Sequence, residues 1–126
     1  MSQTGSDLFN LADRRLAFLQ QRQIVLAQNV ANANTPGWQA HDMKPFDAML
    51  ATKLGVVPVR TNARHLAGQT ASAAGTLAVQ GERSPDGNSV RLDDQLSKVA
   101  DTETLQSTVT NLYSKFLGFY RTALGR

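Results

Sequence analysis

Few side chains in this sequence are of a kind that does chemistry. His41 and Asp42 are adjacent, and an aspartate beside a histidine can orient an imidazole for general base work. No GxSxG elbow and no cysteine accompany them to supply a nucleophile. His65 stands alone in weakly patterned sequence, and the two histidines lack the spacing of a zinc site. Asp93-Asp94 precede a helical pattern, where helix N-terminal electrostatics accounts for them. No phosphate-cradling glycine loop is present. The remaining candidates are amides: Asn29, Asn32 and Asn34, with Trp38 just beyond them. They read either as a polar binding site or as caps and interface contacts, and their place at the end of a long helix favours the second. Trp38 beside a turn reads as a packing anchor rather than a ligand platform. No catalytic, cofactor-binding or metal-binding residue emerges, so no enzyme is expected.

The stretch that positions these amides is LAQNVANANTPGW, from Leu26 to Trp38. A helical pattern enters it through Leu26, Asn29 and Val30. Thr35-Pro36-Gly37 stops it, because proline cannot continue a helix and biases the residue before it toward extended geometry. Pro-Gly suits a type II turn, with glycine where φ is positive. Asparagine amides bond nearby backbone and so favour such ends.

Upstream, Met1 to Ser6 are small and polar and read as a disordered arm. Ser6 is a plausible N-cap. The helix then runs from about Asp7 to about Ala33, along a heptad seam of Phe9, Ala12, Leu16, Leu19, Gln23, Leu26, Val30 and Ala33. Downstream, Trp38 to Lys44 reads as extended, and Phe46 to Leu54 as a short helix opened by Pro45. Val56-Val57-Pro58-Val59 is at best an edge strand. From Thr61 to Asn88 the chain is poor in large apolar groups and reads as a flexible excursion, with a short β piece at Leu77-Ala78-Val79 and a turn at Ser84-Pro85-Asp86-Gly87. Val90 to Arg126 is helical again. Leu92, Leu96 and Val99 form one stripe; Leu105, Val109, Leu112, Phe116, Phe119 and Ala123 form another. The phase slips between Val99 and Leu105, which predicts one helix with a discontinuity there, or two helices. Phe116 and Phe119 are assigned to the seam against the first helix; Tyr113, Leu117, Tyr120 and Leu124 are assigned to a second flank facing other neighbours.

The expected fold is therefore mainly α. Long N-terminal and C-terminal helices pack as a coiled-coil-like pair around an irregular, partly extended or disordered middle. The segments are 1–37, 38–89 and 90–126. The 126 residues carry a net charge of +3 without a polybasic run, which argues against a dedicated nucleic-acid binder. Charged residues are 18%, below the usual share of about a quarter. Aromatics are 6%, too few for a large self-contained core. With no cysteine there is neither a disulfide nor a thiolate site. The first residues, MSQTGSDLFN, lack the basic and apolar regions of a signal peptide. The expectation is a cytoplasmic chain, or one that leaves the cytoplasm by another route.

LAQNVANANTPGW at the end of a heptad helix resembles the signature of the bacterial flagellar axial proteins, the family of rod, hook and junction components. Arg22-Gln23 upstream, Asp42 and Phe46 downstream, the stretch Pro85 to Asp93 (PDGNSVRLD) and the ending RTALGR are similar to the proximal rod members. The resemblance covers about residues 8–50 and 85–126. It implies a structural subunit of the basal-body rod, a tubular drive shaft, exported by the flagellar type III apparatus without a cleaved signal peptide. It implies terminal segments that order on assembly, and contacts through Phe9, Leu16, Leu19, Leu26, Asn29, Val30, Asn32, Asn34, Thr35, Pro36, Gly37 and Trp38. On the last helix the contacts would be Leu105, Val109, Leu112, Phe116, Leu117, Phe119, Tyr120 and Leu124. The implied partners are copies of itself, the rod proteins FlgC, FlgF and FlgG, the rod-base protein FliE, the MS ring and the export gate. No nucleic acid, small-molecule substrate or cofactor is implied. Two alternatives stand beside this reading: the other short rod protein, FlgC, and a cytoplasmic helical adaptor or export chaperone that binds a partner helix along the first seam.

Overall fold

The computed structural model describes the backbone of residues 3–54, 75–79 and 81–125, and side chains over 7–50, 75–79 and 81–125. Five elements follow in order: α1 (Gln3–Ala31), β1 (His41–Met43), α2 (Phe46–Leu54), β2 (Thr76–Ala78) and α3 (Leu92–Ala123). The 29 residues of α1 and the 32 of α3 make rods of about 44 and 48 Å. They pack against each other, and β1 lies across α1. The fold is mainly α, as the two apolar stripes predict.

The stripe on α1 is the buried one. Leu19 and Leu26 are fully buried, and Phe18 and Val25 nearly so. Phe9, Ala12, Leu16, Gln23, Val30 and Ala33 are half-buried along the same seam. Phe18 also packs on Phe46 at the start of α2, with ring centroids 5.4 Å apart. The Arg15 guanidinium covers this pair, 4.8 Å from the Phe46 ring centre and 5.5 Å from that of Phe18. Helix α2 has the bounds its pattern predicts.

Several expectations are corrected. Helix α1 begins at Gln3, so residues 3–6 are helical rather than part of a disordered arm, and Ser6 is not an N-cap. Regular α1 ends at Ala31 rather than Ala33. Asn32 is already in a turn, its backbone N–H shared between the carbonyls of Gln28 and Asn29, and its side chain donates to Gln28 O at 2.8 Å. Helix α3 is unbroken. The residues that keep its phase against α1 are Gln95, Val99, Thr102, Gln106, Val109, Tyr113 and Phe116, a heptad series of buried and half-buried positions. Three of them are polar, so an apolar stripe alone misses the series. Gln95 and Thr102 are buried; the Thr102 hydroxyl returns to Lys98 O at 2.7 Å, so the polar atom carries no unpaired cost. A polar cleft of about 710 Å³, lined by Gln23, Glu103, Gln106, Ser107, Thr110 and Asn111, opens beside it.

The face assignment near the end of α3 is also corrected. Tyr113 and Tyr120 turn toward α1 and hold Phe9 between them, at 5.0 and 5.6 Å between ring centroids. Phe119 is 68% exposed, and Leu105 and Leu112 are exposed as well. A one-residue rotation of the seam explains this. The tyrosines keep their hydroxyl ends at the edge of the contact while their rings pack.

The described parts of the middle hold a short sheet and a turn, within the irregular, partly extended segment the sequence predicts. β2 pairs antiparallel with β1, His41 opposite Ala78 and Met43 opposite Thr76, and residues 84–88 form a tight turn closed by Ser84 N–H to Asn88 O at 2.8 Å. The expected Val56–Val59 strand, His65, and the flexible excursion over 61–74 lie outside the described residues. Urea unfolding followed by the fluorescence of Trp38 checks the packing. Leu19→Ala is expected to cost about 2–5 kcal/mol, whereas Phe119→Ala stays within about 0.5 kcal/mol.

Candidate functional site: a carboxamide clasp

Helix α1 ends where its last carbonyls have no partner within the helix. The turn that follows is the one Pro36-Gly37 dictates: Trp38 N–H returns to Thr35 O at 3.3 Å, and Gly37 takes φ +73°. Three carbonyls lie at this end: those of Asn32 and Thr35, which also accept the Thr35 and Trp38 N–H groups, and that of Ala33. One side chain takes all three. The two N–H groups of the Asn88 amide are shared among them, at 3.0, 2.9 and 2.8 Å, while its side-chain oxygen accepts Val90 N–H at 2.7 Å. Asn88 is thus a C-cap for α1 supplied from the turn that leads into α3, more than fifty residues away along the chain.

The two turns meet back to back. Gly37 N–H donates to Asp86 O, and Ser89 N–H to Trp38 O, each at 3.0 Å. Gly87 has φ +83°, and a β-carbon there would sit 3.5 Å from the Gly37 Cα. Left-handed geometry at both positions is what glycine permits at no steric cost. The Ser89 hydroxyl then receives the N–H of buried Ala40 at 2.9 Å.

Asn29 does the complementary work from within α1. It is 1% exposed. Its amide nitrogen donates to His41 O at 2.6 Å and to Gln95 Oε1 at 2.9 Å. Its oxygen accepts His41 N–H at 3.1 Å and, at 3.5 Å, the Trp38 indole N–H. All four hydrogen-bonding positions of the carboxamide are occupied. It pairs with the His41 backbone as a neighbouring strand would, and it ties α1, β1 and α3 at one point. Among the described residues no buried side-chain nitrogen or oxygen lacks a partner.

A charged node sits one turn along. Arg22 grips Asp42 with two parallel bonds of 2.9 and 3.0 Å, and Lys98 of α3 approaches the same carboxylate at 3.2 Å. Burial pushes the Asp42 carboxyl up, but the hydrogen bonds from Arg22 and Lys98 more than offset it, and the group lies below the ordinary carboxylate range. The hydrogen bond to Asp42 raises Arg22. The Asp42 carboxylate is therefore engaged by α1 and α3, and His41 enters the clasp through its backbone alone.

Of the residues singled out from sequence, the structure brings together Asn29, Asn32, Thr35, Gly37 and Trp38. Asn32 also accepts the Thr35 hydroxyl at 3.1 Å. Asn34 and Pro36 are exposed, as are Leu105, Leu112, Leu117, Phe119, Tyr120 and Leu124. Gln95 and Lys98 escape sequence reasoning altogether. Asn88 figures there only as one letter of a motif, and the Asp-Gly-Asn sequence after a proline is the signal that finds it.

Residues 9–39 match the family described as flagella basal body rod protein. Over most of its length the chain is similar to the flagellar basal body rod protein FlgB of three bacteria. It is 37% identical to that of Agrobacterium fabrum, covering 86% of each chain. It is 31% identical to that of Salmonella typhimurium, covering 83% of this chain and 84% of the relative. It is 31% identical to that of Cereibacter sphaeroides, covering 94% of each. The chain belongs to the FlgB family of flagellar basal body rod proteins.

The Asp42 node makes the clasp acid-sensitive. Its folded pKa lies below the unfolded value, so its stabilisation is complete above the ordinary carboxylate range and is lost as pH falls through the lowered value. An acid titration of Trp38 fluorescence is expected to show loss of the clasp below about pH 4. Asp42→Asn is expected to be less stable at neutral pH, with a flatter dependence across that window.

Proposed function

We infer that the chain is a structural, non-enzymatic subunit of the flagellar basal-body rod that works by mechanical coupling. The observation that carries the reading is the pairing of a fully bonded clasp with an unfilled helix surface. The clasp fixes the angle between α1, the turn at Thr35–Trp38 and α3, so the hairpin behaves as one stiff piece. Beyond it, Leu112, Phe119 and Leu124 are at least half exposed, a surface that a neighbouring subunit would cover. Heterologous contacts repeated without closure build a filament. Interlocked helix pairs of this kind carry torque along a tube.

In this reading the neighbours are copies of the chain and the other rod components, with FlgC, FlgF, FlgG and the rod-base protein FliE as the specific candidates. The MS ring and export gate lie at the base. The rod location implies passage through the type III export apparatus, without a cleaved signal peptide, into a shaft that crosses the periplasm. The interface residues proposed from sequence divide accordingly. Phe9, Leu16, Leu19, Leu26 and Val109 work inside the hairpin, whereas Leu105, Leu112, Leu117, Phe119 and Leu124 face neighbours. Membership in the FlgB family supports this reading over a cytoplasmic adaptor.

Fractionation decides between them: the chain is expected in detergent-resistant basal bodies, and its confinement to cytosol would overturn the reading. The turn offers a sharper test. Nothing lies within 4 Å of a β-carbon placed on Gly37, so a substitution there is felt through φ alone. Gly37→Val is expected to cost about 1–3 kcal/mol in the folded turn and to abolish motility while secretion persists. Gly37→Asn, which tolerates positive φ, is expected to retain motility. Swarming assays and immunoblots of secreted protein read both outcomes.

A further inference from the structure

The turn that closes the clasp is also where the sequence is chemically least durable. Asp86-Gly87 is its one aspartate followed by glycine, and Asn88-Ser89 its one asparagine followed by serine; no asparagine is followed by glycine. Asparagine is among the thermolabile residues, and a small residue after it leaves the next main-chain nitrogen free to attack its side chain. In the fold both reacting groups are engaged elsewhere. Asn88 is 3% exposed. Its amide hydrogens are held by the carbonyls of Asn32, Ala33 and Thr35, and its side-chain oxygen by Val90 N–H. The Ser89 N–H, whose nitrogen would be the nucleophile, donates to Trp38 O at 3.0 Å. The N–H of Asn88 itself is tied to Asp86 Oδ1 at 3.1 Å. For the Ser89 nitrogen to lose its proton and reach the Asn88 Cγ, these bonds must break.

We propose that Asn88 is a deamidation site gated by the clasp. With the clasp open, the deprotonated Ser89 nitrogen bonds to the Asn88 Cγ, the Cγ–Nδ2 bond breaks, and the side-chain amide leaves with the proton as ammonia. A cyclic imide remains. Water then adds at either of its carbonyls and opens the ring, leaving aspartate or the isomer whose main chain runs through the side chain. Either product is a carboxylate at neutral pH. It has no N–H to offer the three carbonyls of Asn32, Ala33 and Thr35, and it meets their oxygens with negative charge. The reaction therefore runs one way: a chain that stays unclasped loses the ability to close, and a closed chain is kept from reacting. The folded chain reacts only through local opening. Its rate is the unfolded-chain rate multiplied by the fraction of time the clasp is open.

Peptide mass mapping of the full chain, incubated warm in mildly alkaline buffer with and without guanidinium, reads the replacement of the amide by a carboxyl at Asn88. Deamidation is expected to be at least about a hundredfold slower in buffer than in denaturant. The same ratio is expected for the hydrogen-exchange protection of the Ser89 and Val90 amides, since one opening exposes all three. Asp42→Asn weakens the node that joins α1, β1 and α3 without touching the turn. It is expected to raise the rate in buffer and to leave the rate in denaturant unchanged. Equal wild-type rates in the two solvents, a protection that does not follow exchange, or an Asp42→Asn chain that reacts in buffer as the wild type does, overturns the gating. Asn88→Asp stands in for the product. Its Gly37 and Ser89 amides are expected to lose at least about tenfold in exchange protection. Wild-type protection of these amides in Asn88→Asp overturns the claim that the product cannot close the clasp.

Discussion

The structure depends on two carboxamides that satisfy backbone groups at one helix end and one strand edge. A helix that stops abruptly leaves carbonyls without partners, and a short strand laid across a helix has one edge unpaired. Asn88 answers the first need and Asn29 the second. Neither task suits a charged side chain, because each amide donates and accepts at the same point. The core supports this arrangement without being able to replace it. Among the described residues, buried apolar side chains are confined to a short stretch of α1 and to Ala40, so the apolar effect brings the helices together while the amides fix how they end.

This division explains the polar character of the α1–α3 seam. Gln95 reaches Asn29, Thr102 bonds within its own helix, and Lys98 reaches Asp42. Near the clasp, packing is specified by directed bonds, which tolerate little displacement. Farther out, Phe9 between Tyr113 and Tyr120 is held by ring contacts, which are less directional. The hairpin therefore grades from a joint fixed by directed bonds to an end with more surface exposed, that of Phe119 and Leu124. Under the function proposed above both have a use: the joint would keep its shape under load, and the open end would engage the next subunit.

The helices and the turn were legible in the sequence because both rest on short-range rules. Heptad spacing placed α1 and its buried face, and Thr35-Pro36-Gly37 placed the stop. The Phe46–Leu54 helix followed from Pro45 and its apolar spacing. What was not legible rests on partners far apart in sequence. The three carbonyls that Asn88 caps belong to residues more than fifty positions away, and Gln95 gains its meaning only beside Asn29. The rotation of α3 was misread for a related reason. Apolar side chains are plentiful on more than one side of that helix, so periodicity shows several stripes and does not say which meets α1. Polar seam residues, Gln95, Thr102 and Gln106, mark the true contact and carry no hydrophobic signal.

The central claim is that the clasp is one cooperative unit, firmer than the helix ends it joins. Native-state hydrogen exchange on the full chain tests it most directly, since local opening free energies report such units. The amides of Gly37, His41, Ser89 and Val90 each donate within the clasp. The account predicts that these four share one opening free energy, above that of amides in the last turns of α3. Exchange of these amides at unrelated rates, or faster than those at the end of α3, would contradict it.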